Sequence, residues 1–396
     1  MRSKAPAIPR EDIMLRGFSF SFFTMVAIIS SYFPLYFQYK GYSTVQIGLL
    51  YSVGPLIGIV SNLFWGIMSD KYQTVKKVLV LLVLGQLLVA FFMFRIDGFA
   101  LLMVLMAAFF FFQQPMTSMN DSLILLTVSG TKKSYASFRV WGSIGFATAA
   151  LVFGELLRHY GAGLTPTLAL GSLGLTLVLA SLLRDARDPQ FKPPDFSGFL
   201  PIITSRSFLA FLIMLLIVSI AHRMNDGFLA LYLKSLGASP SIVGWSWMAS
   251  AVSEIPVFFL LSKYGHRYKE LPLLALCSLV YGVRFLLMTF VENPLWVILI
   301  QMMHSVSFGI FLFTAIRYIQ NAIPDQYRSS GQAVFAMIWA GLAGLLSGTI
   351  GGWVFNTWSP HAMYGTASAL AFVALIGFLA LHARQSGPAG SDGFQS

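Results

Sequence analysis

Residues 109 to 146, FFFFQQPMTSMNDSLILLTVSGTKKSYASFRVWGSIGF, decide how the chain is read. Two apolar segments flank a short polar turn holding Lys132 and Lys133, and each carries one ionisable residue, Asp121 before the turn and Arg139 after it. Their midpoint is Gly130, inside the turn. In an antiparallel helical hairpin, equal distance from the turn means equal depth, here about 13 Å at roughly 1.5 Å per residue. An unpaired charge at the centre of a bilayer costs at least about 3 kcal/mol. An acid and a base at one depth are therefore expected to pair, or to share a proton or a ligand. A purely structural ion pair is the alternative reading.

Composition supports the membrane setting. Apolar residues make up 57% of the 396 and charged ones 10%, against roughly 45–50% and 25% in soluble proteins. The formal charge of +11 is no sign of nucleic-acid binding in such a chain, because Lys and Arg must first be sorted by loop. Spans are expected near 17–39, 45–68, 77–95, 99–127, 138–158, 164–184, 206–233, 241–262, 271–291, 294–317, 331–355 and 361–382. With the N-terminus in the cytoplasm, external segments receive only Lys40, Arg95, Arg158 and Lys234 of the 26 Lys and Arg, while Arg139, Arg223 and Arg284 stay within spans. The rest are cytoplasmic, as the positive-inside rule requires. The basic start, MRSKAPAIPREDIMLR, is followed by an apolar stretch long enough to span and by no small-residue cleavage site, so it reads as a first helix and not a secretory signal.

The fold expected is all-α: twelve transmembrane helices in two pseudo-symmetric six-helix bundles, 17–184 and 206–382. A cytoplasmic tail precedes them (1–16), a Pro- and charge-rich linker joins them (185–205), and a flexible tail follows (383–396). GYSTVQIG at 41–48 returns as GASPSIVG at 237–244, and Tyr36 has its counterpart in Tyr232 at the same offset, which points to internal duplication.

Between spans two and three stands GIMSDKYQTVKK, 66–77. Gly66 allows close helix approach, Asp70 can accept from a neighbouring helix N-terminus, and Lys71, Lys76 and Lys77 face the anionic inner leaflet. Ordinary positive-inside charges are the alternative for the lysines. The pattern resembles the loop signature of the major facilitator superfamily. With the Asp121 to Arg139 spacing, RVWGSIG, YGVRF around Arg284 and MHSVSFGIFLFTAIRYI around His304, the chain is similar to the lactose permease branch, the oligosaccharide–proton symporters and their phenylpropionate-permease-like relatives. The resemblance implies that Asp121 and Arg139 bind substrate and that Arg284 and His304 belong to proton coupling. Departures accompany it. Ser307 replaces a carboxylate, Gln301 a lysine, Arg223 an acid, and Phe146 the sugar-stacking tryptophan. These speak against galactoside recognition and move the proton to another acid, Glu254, Asp226 or Asp121.

The spacing agrees with the resemblance. Arg284 and His304 straddle Pro294, each about 15 Å deep, half of a roughly 30 Å core. Asp226 and Glu254 straddle Pro240 at equal depth, and a carboxyl there must be protonated or paired. A lone histidine in a span is also read as a packing residue. The expectation is proton-coupled symport of a small organic solute, a sugar, nucleoside or aromatic acid, through a midplane cavity. Asp121 and Arg139 hold the solute with Phe146, Asn120 and Tyr36, and Glu254, Arg284, His304, Asp226 and Arg223 couple the proton. An uncoupled facilitator, an exporter, and a transporter-like receptor or lipid-moving protein are the alternatives. No cofactor, metal or enzymatic motif is expected, and the partners are solute, protons and bilayer, with no nucleic acid. The chain is expected as a monomer in a plasma membrane, the bacterial inner membrane. Glu155, Arg158 and His159 read as an interfacial cluster, Phe109 to Phe112 as lipid-facing or packed, the glycines of 341–352 as helix contacts, Trp245 and Trp247 as an interfacial belt, and Cys277 as a quiet thiol.

Overall fold

An apolar chain in a bilayer must satisfy its backbone polar groups internally, and helices do so within one segment. The computed structural model describes residues 10–128, 131, 133, 135–185, 204–324, 331 and 334–386, with all but a few of their side chains, Asp70 among the exceptions. Among them there is no strand. The first span is α1 (Arg10–Ser31) and α2 (Phe33–Tyr39). It breaks at Tyr32, where Pro34 enters the first turn of α2 and removes an N–H donor. Then follow α3 (Thr44–Lys71), α4 (Val75–Met93), α5 (Phe99–Val128), α6 (Ala136–Tyr160) and α7 (Thr165–Leu182). After the linker come α8 (Arg206–Ser235), α9 (Pro240–Tyr264) and α10 (Glu270–Thr289). The tenth span joins α11 (Leu295–Gln301) to α12 (Ile310–Ala322) through a π-turn at Ser305–Gly309. The eleventh runs through a π-turn at Met337–Leu342 into α13 (Ala343–Thr357), and α14 (Pro360–Ser386) ends the bundle. Eleven of these segments are long and apolar enough to cross a membrane among the described residues. The 25-residue α9 takes the place of the remaining span.

Helix bounds lie within a few residues of those expected, with two extensions. α1 begins at Arg10, inside the expected tail, and α14 runs to Ser386. Most of the expected linker lies outside the described residues.

The chain divides into two compact units, Met1–Lys40 with Ile57–Phe191, and Gly41–Leu56 with Lys192–Ser396. The first is cored by Phe18, Phe22, Trp65, Leu82, Leu123 and Phe138. At one end of it Asp185 accepts from the Lys76 N–H at 3.2 Å and from the Thr74 hydroxyl, placing a carboxylate at the start of α4 where the helix dipole favours it. Glu11 pairs with Arg184 and Asp12 with Lys133, each at 2.7 Å. Lys71 and Lys77 are exposed and Lys76 half-buried. Among the described residues a Cβ on Gly66 would meet nothing within 4 Å, so the close approach expected of it is not seen there. In the second unit the start of α3 lies on α13: a Cβ on Gly48 would stand 2.3 Å from the Gly348 carbonyl oxygen. The glycines of 341–352 are thus contacts of the expected kind.

The duplication is visible in the backbone. Gly41 and Gly237 both adopt left-handed φ, +91° and +77°, a region that disfavours side chains. Each is followed two residues later by a serine that opens a helix. Ser43 and Gln46 cap α3 reciprocally, the Ser43 N–H donating to Oε1 at 2.9 Å and the Gln46 N–H to Oγ at 3.2 Å. Tyr36 donates to the Phe94 carbonyl, and its counterpart Tyr232 to that of Met288.

Candidate functional site

The first unit holds the Asp121–Arg139 pair. Arg139 lies in the first turn of α6, just before Gly142 and Gly145. A Cβ at Gly145 would sit 2.1 Å from the Phe20 carbonyl oxygen, so glycine is what lets α6 lie against α1. That approach sets the Arg139 guanidinium over the Phe23 ring, 4.2 Å from its centroid, a cation–π contact. Asp121, on α5, stands with Oδ1 3.6 Å from Arg139 Nε, and about 30% of each side chain is exposed. This is an ion pair without a short hydrogen bond, open enough for another oxygen to compete for the guanidinium. Tyr135 stands beside both partners.

The neighbours expected to help divide. Asn120 is fully buried and accepts from the Ser19 hydroxyl at 2.8 Å, while its Nδ2 has no hydrogen-bond partner among the described residues. Phe146 is partly buried against the apolar core of the unit. Tyr36 is buried with its ring edge-on to Phe94 and its hydroxyl on the Phe94 carbonyl, a packing role where the first span meets the end of α4.

The second unit holds a buried polar cluster. Arg284, 1% exposed, donates from Nη1 to His304 Nδ1 at 3.0 Å and to Ser307 Oγ at 3.3 Å, and from Nη2 to Gln301 Oε1. His304 Nε2 faces Glu254 Oε1 at 2.9 Å. Gln301 Nε2 in turn donates to Asn225 Oδ1 at 3.3 Å, and the Tyr364 hydroxyl donates to the same oxygen at 3.2 Å. On α8, Asp226 lies 3.2 Å from His222 Nε2 and 3.8 Å from Arg223 Nη1. Arg223 Nε donates to the Trp339 carbonyl at 3.3 Å. The two imidazoles stack at 5.4 Å between centroids, with Phe308 4.8 Å from His222 and 4.9 Å from His304. Two arginines and two carboxylates balance; Arg284 is fully buried, while Arg223, Asp226 and Glu254 keep part of their side chains exposed. The π-turns flank this cluster, one starting just after His304 and the other containing Trp339. Turns of this kind recur at functional sites.

Asp226 and Glu254 therefore enter one cluster without touching. Each faces a histidine, and one of those, His222, was missed in the sequence. The available signal was the spacing in HRMND, which sets His222 and Asp226 four residues apart on one helix face. Phe23 and Tyr135 carried no signal, since an aromatic in an apolar span reads as packing. The Asp70 side chain lies outside the described residues. Phe109 and Phe110 are buried, Trp245 is 48% exposed, and Trp247 at 8% is core and not belt. Arg158 and His159 both contact Glu155, all about half exposed, and Cys277 is buried.

Residues 12–366 match the model of the MFS_1 like family. The chain is 26% identical over 381 residues to the maltose permease of Geobacillus stearothermophilus, covering 93% of this chain and 94% of that one. It is 26% identical over 307 residues to a probable 3-phenylpropionic acid transporter of Escherichia coli (strain K12), covering 76% and 80%. The crystal structure of the nucleoside transporter NupG superposes with a TM-score of 0.83 at 15% identity, over 94% of this chain and 99% of that one.

Proposed function

This chain belongs to the MFS_1 like family, and from that premise we propose that it is a secondary active transporter that takes up a small organic solute together with a proton. The solute is recognised by Arg139 and Asp121, with Asn120 beside them and Phe23 fixing the guanidinium plane. An ion pair at 3.6 Å with both partners part-exposed suits a ligand that offers an acceptor to the arginine and a donor to the acid. A sugar, a nucleoside and an aromatic acid each meet part of that requirement. The observation that carries the coupling is the charge-balanced cluster of Arg284, His304, Glu254, Asp226 and Arg223. In such a group, one added proton changes the net charge of a buried site and so favours a different arrangement of its partners. Alternating access is the transport cycle expected, with both termini on the cytoplasmic side of a bacterial inner membrane and a single chain as the working unit.

The test uses purified protein in proteoliposomes containing a pH-sensitive dye. Maltose, uridine and 3-phenylpropionate are added outside in turn. At least one is expected to drive proton entry and to accumulate when a proton gradient is imposed. Equilibration of solute without proton movement would reject coupling and leave a facilitator.

A further inference from the structure

The two stacked histidines look equivalent, since each has a carboxylate on Nε2, but their Nδ1 partners differ. His304 Nδ1 faces an arginine. A guanidinium is donor only and stays charged, so with Arg284 Nη1 at 3.0 Å this nitrogen must offer its lone pair. The single ring proton then sits on Nε2 and is donated to Glu254 at 2.9 Å. A second proton on Nδ1 would set two donors against each other. Arg284 is also anchored to Gln301 and Ser307, which holds it against His304.

His222 Nδ1 faces the Tyr281 hydroxyl at 3.0 Å. A phenol both donates and accepts. The neutral ring accepts from the O–H, and the protonated ring donates Nδ1–H to the same oxygen once that hydroxyl rotates. Nε2–H donates to Asp226 at 3.2 Å in both states. Neither ring contact is lost, and the carboxylate supplies the counter-charge that a buried imidazolium needs. Among the described residues the groups facing this ring are Asp226 and Arg223 on α8, Tyr281 and Arg284 on α10, His304 and Phe308 in the tenth span, and Trp339 in the eleventh, with Glu254 of α9 behind His304.

We infer that His222, and not His304, is the imidazole that accepts the transported proton, while His304 is a positioning residue that bridges Arg284 to Glu254. The proton binds Nδ1, and the His222, Asp226 and Arg223 group passes from neutral to a single positive charge. Release on the other side restores neutrality. This assignment rests on the proton-coupled reading proposed above.

The full chain, labelled with 15N-histidine and held in lipid nanodiscs, is followed by NMR from about pH 8 to about pH 5, the range over which histidine charge changes. Signals are assigned by their loss in His222→Gln and, separately, in His304→Gln. His222 is expected to gain a second ring proton over this range while His304 stays a neutral ring protonated on Nε2. Protonation of His304, or no change at His222, overturns the assignment. In proteoliposomes, His222→Gln is expected to lose proton entry driven by maltose, uridine or 3-phenylpropionate, whichever of them acts on the unmodified protein. Undiminished proton entry in that variant also overturns it. If His222 protonates but a solute equilibrates through the unmodified protein without moving protons, the coupling reading fails and the protonatable ring stands. If solute drives proton entry while His222 stays neutral, the assignment fails and the coupling reading stands.

Discussion

In the first unit Asp121 and Arg139 share one contact at 3.6 Å with about 30% of each side chain exposed. In the second, Arg284 is 1% exposed and divides its donors among His304, Ser307 and Gln301. Both sites join opposite charges within membrane helices, yet their energetics differ. A part-exposed pair contributes about 0–1 kcal/mol, because water and salt compete for both partners. A buried charge stripped of its partner costs about 3–5 kcal/mol. The first kind suits the solute-opened pair proposed for Asp121 and Arg139. The second suits the proposed coupling cluster, in which Arg284 is held by three partners.

The sharpest way to break that contrast is Arg284→Met. It strands His304 Nδ1 and Gln301 Oε1 and leaves an uncompensated acid, so unfolding in detergent should come earlier by an amount corresponding to about 3–5 kcal/mol. An unchanged melting temperature would show that the cluster is not structural at all. Gly145→Leu comes next. The side chain meets the Phe20 backbone, and forcing α6 off α1 should cost roughly 1–3 kcal/mol and move Arg139 away from Phe23. Loss of solute-induced thermal stabilisation should accompany the lower melting point.

Asp121→Asn inverts the pattern. Its melting temperature should fall less than that of Arg284→Met, because both partners of the pair are part-exposed, while uptake by proteoliposomes is lost. A large drop in melting temperature with uptake retained would reverse the roles assigned to the two units. Glu155→Gln, in the half-exposed cluster with Arg158 and His159, should alter neither readout and serves as the baseline.

Much of this could be read from residue order. Hydropathy places the spans because the bilayer sets their length. The turn at Gly41 and its repeat at Gly237 are legible because only a residue without Cβ adopts that φ freely. Equal distance from a turn was enough to bring Asp121 to Arg139 and Arg284 to His304, since hairpin geometry is local. The same reasoning could not reach His222. Apart from Asp226, four residues on along the same helix, its ring partners come from three other spans, and sequence spacing carries no information about which faces of distant helices meet. Tyr36 shows the opposite limit: a phenol in a span reads as a site residue, but its hydroxyl serves a carbonyl at the end of α4. Gly66 shows another, for glycine leaves room that no helix is obliged to fill.

The π-turns at Ser305–Gly309 and Met337–Leu342 each store one residue of slack. Tightening either to α pitch would swivel the helix on one side by roughly 100° relative to the other, since an α-helix turns once in 3.6 residues. His304 would then exchange its neighbours without the tenth span shifting as a body, and Trp339 likewise in the eleventh. The histidine of α8 thus sits between two windings of adjustable register, so that a change of one charge there has something soft to push against on both flanks.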